Sequence, residues 1–161
     1  MNPEVYIPKS DIIIPEGAVL LRLFDAKTGK LKAEDLYQNM IVDTGKQAIA
    51  DALRGATNNN RGIITYCGVG TGTTAPTEAD TDLETELFRK EVSVRTVSGN
   101  VATFQTFFTT EEANGSLQEA GLFGDGATAV ADSGTMFARV LINRTKTSND
   151  TLTLNWNVTI G

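Results

Sequence analysis

The sequence predicts a mainly β protein: an antiparallel β-sandwich or flattened barrel with one short helix and an extended N-terminal arm. Three observations carry this. Thr151 to Ile160 alternate without a break, with Leu152, Leu154, Trp156, Val158 and Ile160 on one face and Thr or Asn on the other, a sorting that only a period of two produces. Short apolar runs recur along the chain, separated by Gly, Asn, Asp and Ser clusters that read as turns. A single segment carries helical spacing.

The elements follow in order. Residues 1–17 hold Pro3, Pro8 and Pro15, which block helix and point to an extended arm. Within the arm, Ile12, Ile13 and Ile14 are too apolar for a solvated tail and are expected to bury against this domain or a neighbouring subunit. Residues 18–161 are expected to form one β-sandwich domain. Val19 to Phe24 reads as a strand closed by a turn at Gly29, and Leu36 to Val42 as a second, short strand. Thr44 and Gln47 fit a capping box. Ala48, Ile49, Ala52 and Leu53 then share one helical face, and Gly55 ends the helix.

Ile63 to Val69 reads as a buried strand that runs into a Gly/Thr-rich loop and an acidic stretch, Glu78 to Glu86. Phe88 to Val97 reads as one strand with Phe88, Val92 and Val94 on a common face. Ser98-Gly99-Asn100 returns it to a hairpin partner, Val101 to Phe108. Ser116 to Phe123 and Thr135 to Asn143 are further strands around a small, polar loop at 127–134, which is expected to be mobile. The alternating segment ends the series as a strand of roughly 30 Å at about 3.3 Å per residue.

Composition narrows the function. The 161 residues carry a net charge of −6 and no histidine. An acidic surface without a basic block disfavours nucleic acid and anionic membrane as partners. No apolar run approaches the ~20 residues of a membrane span, and no basic-then-apolar N-terminal stretch suggests a signal peptide. Cys67 is the single cysteine; lacking any histidine as a base, it reads as a small buried hydrophobe.

The remaining chemistry is thin. Gly68-Val69-Gly70-Thr71-Gly72 imitates a dinucleotide loop, but Thr73, Thr74, a proline and acidic residues follow where a helix should start. It reads as a tight exit from a strand. Gly45-Lys46 imitates a P-loop fragment, yet Met40 replaces the first glycine and Gln47 the Ser or Thr. Glu78, Asp80, Asp82, Glu84 and Glu86 recur at spacing two; Asp80, Asp82 and Glu84 are weak Ca²⁺ candidates, and a solvated acidic rim is the plainer reading. Trp156 falls on the apolar side of its strand, as a core anchor. No catalytic residue, no cofactor-binding residue and no cofactor is expected.

Several blocks carry a resemblance. They are Asp43-Thr44-Gly45-Lys46, Val69-Gly70-Thr71-Gly72-Thr73-Thr74-Ala75-Pro76 with a following acidic stretch and Leu83, Glu119-Ala120-Gly121-Leu122-Phe123, Gly134-Thr135-Met136-Phe137-Ala138-Arg139, and Asp150-Thr151-Leu152-Thr153-Leu154-Asn155-Trp156. In this order they resemble a widespread family of small tailed-bacteriophage virion structural proteins. The pattern is similar, more distantly, to the N-terminal attachment domain of phage tail-collar fibres. The resemblance implies virion assembly without enzymatic activity and a location on the virion, assembled in the bacterial host cytoplasm. The expected partners are other copies of this chain, as a symmetric homo-oligomer, and other phage virion proteins, with the Ile12–Ile14 arm supplying contacts. The tail, baseplate or collar is preferred over capsid decoration. A carbohydrate-binding module and a carboxylate hydrolase are the readings from other classes.

Overall fold

A computed structural model of the chain describes residues 15–55 and 62–161. Among them are nine strands and one helix: β1 (Pro15–Asp25), β2 (Leu31–Ile41), α1 (Asp43–Leu53), β3 (Ile64–Gly70), β4 (Glu86–Glu91), β5 (Val94–Ser98), β6 (Val101–Phe108), β7 (Gly115–Gly124), β8 (Thr135–Lys146) and β9 (Asp150–Ile160). They form one antiparallel sheet in the order β4-β3-β7-β8-β2-β1-β9-β6-β5, curled into the flattened barrel that the sequence predicts.

Two corners fold the sheet into layers. β2 pairs with β1 from Leu31 to Asn39 and then with β8 through Met40 and Ile41. At the far corner β4 pairs with β3, and β5, two residues later, pairs with β6. Consecutive amides at this bend bond to opposite layers: Val92 N–H donates to Thr65 O and Ser93 N–H to Gln105 O, both at 2.8 Å. Strands that switch sheets in this way make the corners of flattened barrels. The bend also corrects the single strand expected over Phe88–Val97. Val92 is buried, but Val94 lies beyond the corner and is 43% exposed, so the three apolar residues do not share a face.

The core lies between the layers. Leu152, Leu154, Trp156 and Val158 on β9 meet Val19, Leu21 and Leu23 on β1 from one layer, and Cys67, Val69, Ala120, Leu122, Ala138 and Val140 from the other. Trp156 has no solvent exposure, in keeping with a core anchor. Its Nε1 and the Thr106 hydroxyl have no hydrogen-bond partner, but the Cys67 thiol lies beside both. Burial pushes that thiol up to about 12, although its neighbours Trp156 and Thr106 act in the opposite direction. Cys67 is therefore inert at neutral pH.

Local details differ from expectation where tertiary contacts prevail. β1 starts at Pro15, which pairs with Ile160, so residues 15–17 belong to the sheet and not to the arm; Ile12, Ile13 and Ile14 lie outside the described residues. α1 is capped by Val42 without a side-chain bond, so Thr44 lies inside the first turn and not at the cap, and its hydroxyl donates to Met136 O at 2.7 Å. The helix buries Gly45, Ala48 and Asp51, whereas Leu53 is 80% exposed. Gly45 rests on the Phe137 carbonyl, where a Cβ would collide, and Gly55 ends the helix with φ 75°. The 127–134 loop is tied down: Ser133 Oγ donates to Val130 O at 2.6 Å and accepts from Thr128 N–H at 2.9 Å.

The inward and outward faces of β9 give a direct test. Trp156→Ala is expected to lower stability by about 3–5 kcal/mol in urea titrations, while Thr153→Ala on the opposite face stays within about 0.5 kcal/mol.

Candidate functional site

The outer face of the β4-β3-β7-β8 layer carries a buried charged platform. Its register explains the layout. One cross-strand row runs Arg89, Gly68, Gly121, Arg139, and the next runs Glu86, Gly70, Glu119. Two glycines thus separate two arginines, and each arginine has a glutamate one row away. Leu83 from the acidic loop sits on the glycines: a Cβ on Gly68 or Gly121 would meet its methyl groups at 3.2 and 3.1 Å. Val42, Leu83, Phe123 and Met136 form a second small apolar cluster there, so this layer is buried on both sides.

Glu119 is fully buried and satisfied on both oxygens. Oε1 accepts from Gly72 N–H at 3.0 Å and Thr85 N–H at 2.8 Å. Oε2 accepts from Glu84 N–H at 3.0 Å and Arg139 Nε at 3.0 Å. Four bonds fill the acceptor capacity of a carboxylate, which leaves no lone pair for a proton relay or a metal. Gly70 and Gly72 make room for it, since a Cβ on either would lie 2.5 Å from Oε1. The glycine-rich segment that imitates a nucleotide loop is thus shaped around a buried carboxylate.

Arg139, 3% exposed, continues the network. Its Nη1 donates to Asp80 at 2.7 Å and its Nη2 to Thr74 O at 3.1 Å. Burial works against its charge, but Asp80 and Glu119 overcome this and raise its affinity for the proton. Together Glu119 and Arg139 hold both arms of the 71–85 loop, whose ends are also joined by Thr71 N–H to Thr85 O at 2.9 Å.

Arg89 does the same for the other outer loop. Its guanidinium makes a bidentate pair with Glu86 at 2.6 and 2.6 Å and lies over the Phe123 ring at 4.3 Å. Its Nη1 donates to Ser133 O at 2.8 Å. Charge-assisted forks of this kind fix geometry as well as charge.

The acidic residues singled out in the sequence are used locally. Asp80 accepts from Arg139 and from both the amide and hydroxyl of Thr77 at 3.1 and 2.7 Å. Glu84 accepts from the Thr74 amide and hydroxyl, both at 2.8 Å, and Asp82 from the Thr81 hydroxyl at 2.9 Å. Among the described residues, no group of three or more Asp, Glu, Cys or His side chains is placed to hold a metal. No helix among them is long and apolar enough to cross a membrane. Sequence reading gave no role to Glu119, Arg139 or Arg89 and placed Glu86 on the solvated acidic rim, whereas its side chain is buried against Arg89. The available signal was a charge in the middle of an apolar strand, as in Leu117–Phe123 and Met136–Ile142.

A groove of about 450 Å³ opens at the β2 corner, beside Glu16, Asn39, Met40, Lys46, Pro76 and Glu78. Asn39 is 8% exposed, and neither atom of its amide has a partner. Lys46 bridges the groove wall to Glu78 at 2.8 Å. Comparison of the chain with family models, curated proteins and solved structures finds no match.

Two expectations follow. Arg139→Met is expected to cost about 3–5 kcal/mol, because it strands buried Glu119. Glu119→Gln should also destabilise, and the double substitution should cost clearly less than the sum of the two, as measured by denaturant titration.

For pH, Asp80, Asp150 and Glu112 are pushed up by burial, but hydrogen bonds and cationic partners prevail and hold all three below their ordinary values. The Arg144 pair lowers Asp35 in the same direction. A depressed carboxylate stabilises the fold above its unfolded value, and that stability is lost as pH falls through the folded value. The chain has no histidine to titrate near neutrality. The melting temperature is therefore expected to be flat from about pH 8 to 5.5 and to fall below about pH 4.5.

Proposed function

We propose that this chain is a structural virion protein of a tailed bacteriophage, which self-associates and docks on the particle without catalysing a reaction. One observation carries the reading. The sequence blocks that resemble small phage virion proteins lie far apart in the chain, yet four of them meet on one platform. Gly70, Gly72 and Leu83 pack with Glu119 and Gly121. Arg139 joins them through Glu119 and Asp80. Thr44 and Lys46 reach Met136 and Glu78. The shared residues are thus those that set the shape of a rigid, loop-covered barrel, which is what an assembly module requires.

Charge use supports the same reading. The buried arginines and glutamates are spent on fixing loops, and the thiol is inert. The groove at the β2 corner adds a recess beside Glu16, Met40 and Pro76. β1 begins next to it, at Pro15. The similarity to collar fibres favours the tail, baseplate or collar over capsid decoration, and antibody labelling of particles separates these locations. The carbohydrate-binding reading loses its natural platform, since Trp156 is buried.

Removal of residues 1–14 leaves the β1 pairing intact and is expected to abolish incorporation into particles while the circular dichroism spectrum is unchanged. Wild-type occupancy of the truncated protein on purified particles would contradict the role of the arm.

A further inference from the structure

We infer that the outer face of the β2-β1-β9-β6-β5 layer is the surface on which a second copy of this chain seats. The inference rests on the proposed self-association and names its surface. The register places three parallel rows on this face. One runs Leu36, Leu20, Asn155, Gln105, Val94, and the next runs Gln38, Ala18, Asn157, Thr103, Thr96. The third is Glu34, Arg22, Thr153 and Phe107. Its two charges neutralise each other through a 2.7 Å ion pair. These rows sum to zero, and the adjoining row of Glu16, Thr159, Val101 and Ser98 adds one exposed carboxylate, which leaves the face nearly neutral in a chain whose total is −6.

That low charge selects the occupant. Copies approaching through the opposite layer would bring their acidic loops together, with Glu78 and Glu84 exposed on each, and like charges repel. The β2-β1-β9-β6-β5 face, with Glu16 its one carboxylate outside an ion pair, carries a smaller penalty. Its composition is also self-complementary. Asn157 accepts from the Thr103 hydroxyl and Asn155 from Gln105, both at 2.8 Å. Every amide there carries donors as well as acceptors, so an identical face can answer it in an isologous contact. Leu36, Val94 and Phe107 on the same face are 72%, 43% and 42% exposed and supply the apolar contacts at its margins.

The size is adequate. Five strands about 4.8 Å apart, with about 3.3 Å per residue along β9, give a face on the order of 600 Å², close to the roughly 800 Å² per partner of a standard interface.

Sedimentation equilibrium of the full chain tests this. The wild-type chain should self-associate, and Leu36→Glu with Val94→Glu should weaken association by roughly 30-fold or more. Leu53→Glu, on the exposed face of α1, should leave it unchanged. Asn157→Asp, nearly isosteric and exposed, should weaken association with an unaltered melting temperature, so a folding defect in the double variant does not remove the test. Wild-type association by folded Asn157→Asp and Leu36→Glu/Val94→Glu chains would overturn this surface while leaving self-association standing. A wild-type chain that stays monomeric at millimolar concentration would overturn both.

Discussion

The pairing of Glu119 with Arg139 is the constraint on which the outer architecture depends. A carboxylate without solvent exposure is tolerable only when each lone pair is used and a cation is in contact. Both conditions are met by drawing the 71–85 loop onto the sheet, since three of the four donors are Arg139-flanking loop amides: Gly72, Glu84 and Thr85. The loop in turn seats Leu83 on the Gly68–Gly121 step and places Asp80 against Arg139. The network therefore specifies one loop conformation, which an apolar patch of equal size would not do. Arg89 and Glu86 repeat the arrangement beside it and hold the 127–134 loop.

This layout gives the molecule two unlike sides. One layer is covered by α1 and two anchored loops and displays most of the acidic rim. The other is uncovered among the described residues and close to neutral, with threonine and amide side chains bonded across strands.

Much of the fold was legible in the sequence where one face of an element is wet. β9 is the plainest case: its alternation survives in the structure as Leu152, Leu154, Trp156 and Val158 buried, with Thr and Asn outward. The hairpin at Gly99-Asn100 was equally direct, with Ser98 opposite Val101 and Gly99 at φ 58°. Legibility failed where tertiary contact decides. The β4–β5 corner has no breaker residue; it bends because the amides of Val92 and Ser93 find carbonyls in different layers. The Thr44 cap failed because the helix starts at Asp43, which places Thr44 inside the first turn. Glu119 and Arg139 were invisible as a pair because strand pairing, not sequence spacing, brings them together.

Native-state hydrogen exchange at the amides of Gly72, Glu84 and Thr85 tests the central claim most directly. If Glu119 pins the loop to the sheet, these three amides exchange as slowly as those within β7, through the same opening of the barrel. Exchange at the rate of an exposed loop amide such as that of Ala79 would show that the loop moves independently and that the buried carboxylate does not hold it.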